Sequence, residues 1–100
     1  MVLAIPFFSV FLSLNFFANA TTEKLRITYD DGRILEFDSG SKTGVAFDLR
    51  NLADPERIVS IEHNHFRSTD LSPSDKWILD YLRGKGFQGR FIVWLTKVGK

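Results

Sequence analysis

The chain contains no cysteine among its 100 residues. This absence excludes disulfide bonds, and it also excludes any metal site built from thiolates. A metal ion bound by this protein would therefore depend on histidine and carboxylate side chains. The sequence has two histidines, His63 and His65, and 12 acidic residues from which such ligands could come.

The chain also lacks an excess of charge of either sign. It has 13 lysine and arginine residues against 12 aspartate and glutamate residues, which gives a net charge of +1. Nucleic-acid binding depends largely on positive side chains that neutralise phosphates, and attraction to an anionic membrane surface needs the same surplus. We therefore expect no nucleic-acid partner.

Residues 1–20 carry no charge and include five of the ten phenylalanines. They end in Ala18-Asn19-Ala20, a small-x-small pattern typical of a signal-peptidase site, although the positively charged start of a secretory signal is missing. We interpret the segment as a signal peptide or a membrane anchor, and the third interpretation is a misplaced start or a fragment boundary. Cleavage would make the protein secreted or periplasmic; otherwise it would be membrane-anchored or cytoplasmic. Membrane contact is expected only if the segment is retained.

Residues 21–100 hold all 25 charged residues and are expected to form one domain. Near its start, residues 25–29 alternate between apolar and polar side chains, which indicates a strand. The pair Asp31-Gly32 then predicts a hairpin turn. Residues 33–37 return as a second strand, so the domain is expected to open with a β-hairpin.

A helix is predicted to begin at Ser72. Serine is a favoured N-cap residue, Pro73 suits the first helical position, and Asp75 is the acidic residue three positions after the cap. The residues that follow place an apolar stripe along one side of the helix, which we expect to be buried. The members of this stripe are Trp77, Ile78, Tyr81 and Leu82.

The remaining segments complete a mixed domain. Residues 45–49 alternate briefly, and residues 51–56 favour a turn or a short helical start. Residues 58–63 are rich in β-branched side chains and predict a strand, and residues 90–98 predict a central strand that follows the helix. The expected order of strand, strand, strand, helix and strand is that of a compact α+β domain.

His63-Asn64-His65 at the end of the third predicted strand is the most informative motif. Side chains alternate along a strand, so the two histidines point to the same side if the strand continues through them. Asp75, ten residues later, needs only a loop to return to that side. Two imidazoles and a carboxylate, with one position left for water, form the ligand set of a catalytic rather than a structural zinc site.

The segment Glu62-His63-Asn64-His65, followed by Leu71-Ser72-Pro73-Ser74-Asp75, resembles the JAB/MPN (JAMM) zinc metalloprotease superfamily. The likeness is greatest to the small bacterial, phage and toxin-associated JAB-like and RadC-like domains. The superfamily pattern is a glutamate, a distant His-x-His and then Ser-x-x-Asp. The resemblance implies a small mixed sheet of the cytidine-deaminase-like kind, with a helix after the His-x-His strand.

The resemblance also implies roles for four residues of this chain. His63, His65 and Asp75 would bind Zn²⁺, which would acidify a bound water. Ser72 would stabilise the oxyanion of the tetrahedral intermediate or orient the loop that carries the ligand. The implied activity is hydrolysis of a peptide or isopeptide bond in a protein or peptide substrate, which the sequence does not identify further. The oligomeric state is not indicated.

In this superfamily a glutamate acts as the general base that takes a proton from the water. Glu23, at the start of the first predicted strand, is the first candidate, and Glu36 is the second. Glu62 is the third, because its position next to His63 on a strand points it away from the metal.

Two other functions remain open. A catalytically inactive JAB-like module would keep the fold for binding alone. A metal-dependent nuclease is suggested by the letters His-Asn-His, but the residues of that motif are normally dispersed over a ββα hairpin, and the chain has no basic patch for phosphate contacts.

Overall fold

The computed structural model describes residues 16–18, 20–40 and 48–96. These residues contain four strands and a long helix, together with a single 3₁₀ turn at Pro55–Arg57. The elements are β1 (Lys24–Tyr29), β2 (Ile34–Asp38), β3 (Ile58–His65), α1 (Pro73–Gly84) and β4 (Arg90–Leu95). Residues 16–18 are also helical.

The strands form one mixed sheet in the order β2-β1-β3-β4. β1 pairs antiparallel with both β2 and β3, and β3 pairs parallel with β4. The hairpin between β1 and β2 turns at Gly32, whose φ of 91° is a conformation that glycine adopts without strain. A parallel pair needs a long crossover, and α1 supplies it between β3 and β4.

The two faces of the sheet differ in character. Leu25, Ile61 and His63 lie on the face that α1 covers, which we call the helix face. Arg26 and Glu62, a cross-strand pair, lie on the opposite face, which we call the far face. The hydrophobic core between the sheet and α1 consists of Leu25, Ile27, Tyr29, Leu49, Ile58, Ile61, Ile78, Leu82 and Phe87.

The middle of the far face is polar but buried. Its inaccessible side chains include Arg26, Ser60 and Asn64. Part of the cover comes from Phe17, which is 2 % exposed and stacks on Trp94 with 6.5 Å between ring centroids. The Phe17 carbonyl also accepts a hydrogen bond of 3.0 Å from the Thr96 hydroxyl. Residue 17 therefore packs as part of this domain.

The α+β class predicted from the sequence is confirmed. The predicted hairpin and the predicted order of strands and helix are also present. Residues 45–47 of the short alternation lie outside the described residues, and residues 48–49 are not in a strand. The last strand ends at Leu95 and not at residue 98, and residues 97–100 are outside the described part. No helix among the described residues is both long enough and apolar enough to cross a membrane.

The expected burial of Trp77 is wrong, because its side chain is 57 % exposed. Ile78 and Leu82 form the row of α1 that contacts the sheet. Trp77 and Tyr81 form the neighbouring row and stack on each other at 5.7 Å between ring centroids. The apolar stripe is therefore wider than the surface that the sheet offers it.

Candidate metal centre

Both histidines lie in the last three residues of β3 and point to the helix face. His63 is almost fully buried, whereas His65 is partly exposed. Their Nε2 atoms are 2.9 Å apart. The alternation of side chains along a strand, together with continuation of β3 through His65, is sufficient to produce this pairing.

Asp75 reaches the histidines from the first turn of α1. Its Oδ1 is 3.2 Å from Nε2 of His63, and its Oδ2 is 3.2 Å from Nε2 of His65. A capping box holds this carboxylate: the Ser72 backbone N–H donates to Asp75 Oδ2 at 2.9 Å, and the Asp75 backbone N–H donates to Ser72 Oγ at 3.1 Å. The sequence signal that starts the helix therefore also aims its carboxylate at the two imidazoles.

The donor atoms of His63, His65 and Asp75 fit a metal ion. They all lie within 4.8 Å of one another. Tetrahedral zinc with bonds of about 2.05 Å places its ligand atoms about 3.3 Å apart. The closest separations here, 2.9 Å between the rings and 3.2 Å from each ring to the carboxylate, are near that value. This group could therefore bind a metal ion.

The Nδ1 atoms of the two histidine rings lie in different surroundings. His65 Nδ1 is 3.0 Å from the Ser68 carbonyl oxygen, which can only accept, so the neutral ring carries its proton on Nδ1 and leaves Nε2 free as a ligand. His63 Nδ1 is buried and has no hydrogen-bond partner among the described residues. The orientation of His63 instead rests on packing, including the Phe91 ring at 5.4 Å.

The carboxyl of Asp75 is held in its ionised form. Burial alone would raise its pKa, but hydrogen bonds from the His63 ring and from the Ser72 backbone lower the pKa to about 2. Asp75 is therefore negatively charged at neutral pH. An anionic carboxylate beside two imidazoles is a donor set that favours a divalent cation.

Glu23 lies near this group. Extending the Leu25↔His63 register by two residues brings Glu23 next to His65. Burial raises the pKa of Glu23 above its usual value, the charges of His65 and His63 lower it, and the Asp75 carboxylate raises it again. The net effect is a raised pKa.

The other two candidate bases lie on the far face. Glu36 is opposite Arg26 in the hairpin and forms an ion pair with it at 3.9 Å. Glu62 is buried and accepts a hydrogen bond of 2.9 Å from the Trp94 indole N–H. Neither is on the side of the sheet that carries the histidines, so Glu23 is the candidate base that the fold brings to the group.

Sequence reasoning missed two contributors to the site. The Ser68 carbonyl, which orients His65, carries no side-chain signal and depends on the course of the loop after β3. Asn64, between the two histidines, has no role of its own in the sequence motif. Its contacts lie about 40 residues away in the chain and depend on the pairing of β1 with β3.

Comparison with known protein families, with curated proteins and with solved structures finds no match for this chain. The likeness to the JAB/MPN superfamily therefore rests on the motif residues themselves.

Proposed function

We propose that this chain is a zinc-dependent hydrolase of the JAMM type, with a JAB/MPN-like fold, which cleaves a peptide or isopeptide bond. The observation that carries the proposal is the contact of one capped carboxylate, Asp75, with both Nε2 atoms of the His-x-His pair. Three protein ligands with one position left for water are the set expected of a hydrolytic zinc site.

The remaining residues of the site fit this chemistry. Zinc, when bound, would polarise the scissile carbonyl and lower the pKa of water to about 7. Glu23, with its raised pKa, would take the proton of the attacking water and deliver it to the leaving amine. Ser72 Oγ accepts the Asp75 N–H, and its own proton remains available to a developing oxyanion.

The metal ligands are tested by zinc content. We expect the purified chain to hold one zinc per molecule, measured by elemental analysis after dialysis against a weak chelator. His63→Ala and Asp75→Ala should lose it, because each removes one of three ligands. Asp80→Ala is the matched control, since Asp80 is an exposed carboxylate on the same helix. A chain without metal under zinc-replete conditions would contradict the proposal.

The catalytic role of Glu23 is tested separately. Zinc-loaded protein is assayed against fluorogenic peptides and lysine-linked isopeptides, with Glu23→Gln and Glu36→Gln as the matched pair. We expect Glu23→Gln to keep its zinc and to lose hydrolysis by about 100-fold or more, as for loss of a general base. Glu36→Gln should hydrolyse like the parent, because Glu36 is on the far face. Zinc binding without any hydrolysis would favour the inactive binding module instead.

A further inference from the structure

Asn64, the residue between the two histidines, points to the far face and is fully buried. A buried carboxamide is costly unless its donors and acceptor are satisfied. Asn64 Oδ1 accepts the backbone N–H of Lys24 at 2.7 Å, and Nδ2 donates to the Thr22 carbonyl at 3.2 Å. Nδ2 also donates to the Thr96 hydroxyl at 3.2 Å. All the hydrogen-bonding groups of this side chain are therefore in use.

Two of these three contacts flank Glu23. The regular pairing of β1 with β3 ends at Leu25↔His63. Beyond that point the Asn64 side chain replaces the backbone of β3 as the hydrogen-bonding partner. It binds the Thr22 carbonyl before Glu23 and the Lys24 N–H after it. The Glu23 carbonyl itself accepts the Ser39 N–H at 2.9 Å. The backbone around Glu23 is thus held from two sides, by Asn64 of β3 and by Ser39, the residue after β2.

We propose that Asn64 is a positioning residue that holds Glu23 at the metal centre through the backbone of residues 22–24. The inference rests on the proposed function, in which Glu23 is the base. The two hydrogen bonds fix the backbone on either side of Glu23, directly before β1. With that backbone fixed, the register of β1 with β3 extends to Glu23 and His65 and puts the Glu23 side chain on the helix face. β3 therefore supplies His63 and His65 as ligands on the helix face. Asn64, the residue between them, holds the backbone of the proposed base, Glu23.

Thr96 provides a matched control for this inference. Its hydroxyl accepts from Asn64 Nδ2 and donates to the Phe17 carbonyl, so it belongs to the same buried network but does not touch residues 22–24. Thr96→Val removes one hydrogen bond of Asn64 and keeps the two that flank Glu23. Asn64→Ala removes all three.

The experiment uses Co²⁺ as the probe, bound to the full chain in place of zinc. The Glu23 side-chain carboxyl carbon is followed by ¹³C NMR, because the shift caused by a paramagnetic ion falls with the cube of the distance. The visible absorption of Co²⁺ reports the ligands independently. We expect a large Glu23 shift in the parent and in Thr96→Val, and loss of most of that shift in Asn64→Ala, whose Co²⁺ absorption should be unchanged.

The outcomes separate the two proposals. A parent chain that binds no Co²⁺ overturns the metal centre and the proposed function with it. A parent chain that binds Co²⁺, with the same Glu23 shift in Asn64→Ala as in the parent, overturns the positioning role alone. Loss of the shift in Thr96→Val to the same extent as in Asn64→Ala also overturns it, because a general loosening of the network would then be the cause.

A measurement on the unmutated chain covers the case in which Asn64→Ala does not fold. The bond between the Lys24 N–H and Asn64 Oδ1 is short at 2.7 Å. It should give a scalar coupling between the Lys24 amide nitrogen and the Asn64 side-chain carbonyl carbon, with a slowly exchanging Lys24 amide. A Lys24 amide without that coupling, exchanging as fast as those of exposed loops, overturns the inference.

Discussion

Zinc should stabilise this fold by an amount that can be calculated in advance. The ligands come from the end of β3 and from the first turn of α1, so a bound ion joins the sheet to the helix. Free zinc at about 100 times its dissociation constant adds about 2.7 kcal/mol to the free energy of unfolding. For a domain of about 60–100 residues this raises the melting temperature by about 10–20 °C.

Binding of zinc to the unfolded chain reduces this effect only slightly. Metal affinity of unfolded proteins comes from cysteine and histidine, and this chain has no cysteine and two histidines. The stabilisation should therefore approach the value calculated from the dissociation constant.

The assay is thermal unfolding followed by circular dichroism, with and without zinc, on the parent, Asp75→Asn and Asp80→Asn. Asparagine at position 75 keeps an oxygen that can accept the Ser72 N–H, so the helix cap survives while the charged ligand is lost. We expect zinc to raise the melting temperature of the parent and of Asp80→Asn but not of Asp75→Asn. Equal stabilisation of all three would refute the assignment of Asp75 as a ligand.

Three further predictions concern the scaffold, each measured by urea unfolding. Tyr29→Phe removes a buried hydroxyl whose pKa is raised, with burial as the largest cause. Because this pKa is raised in the folded state, the contribution of Tyr29 to the free energy of unfolding is complete below the unfolded-state pKa of about 10 and is lost as the pH rises through the folded-state pKa. The parent should therefore lose more stability in alkali than Tyr29→Phe. Phe17→Ala should cost about 3 kcal/mol because the ring is buried, and the partly exposed Phe16→Ala should cost clearly less. Equal costs would contradict the packing of Phe17 on the sheet. Gly89→Ala should destabilise by about 1–3 kcal/mol, because its Cβ would lie 2.3 Å from the Val59 carbonyl oxygen. Gly84→Ala, with open space around it, should be neutral or stabilising by up to about 1 kcal/mol, and a cost equal to that of Gly89→Ala would refute the steric argument.

Much of the fold could be predicted because its signals are local. The hairpin turn at Gly32 and the capping box at Ser72 each depend on a few neighbouring residues, and both are present. The His-x-His pair needed only the two-residue period of a strand, and Asp75 only the position of the helix cap. For this reason the three residues of the candidate metal centre could be named before any tertiary contact was known.

The choice among the glutamates could not be made locally. Alternation relative to His63 was enough to direct Glu62 away from the histidines. Glu23 directly precedes β1 and Glu36 lies on β2, and their faces depend on the register of β1 with β3 and then with β2. Register is a tertiary property, set by packing of the whole sheet, and a shift of one residue would exchange the two faces.

The dependence on register also explains how Asn64 would keep Glu23 next to the histidines. A slip of β1 against β3 by one residue would take residues 22 and 24 away from Asn64 and turn Glu23 to the far face. The slipped arrangement would take two of its three hydrogen bonds from the buried carboxamide, at a cost of about 1–3 kcal/mol for each unsatisfied group. Asn64 therefore disfavours the register that would separate Glu23 from the two histidines, and it does so from a position fixed between the ligands themselves.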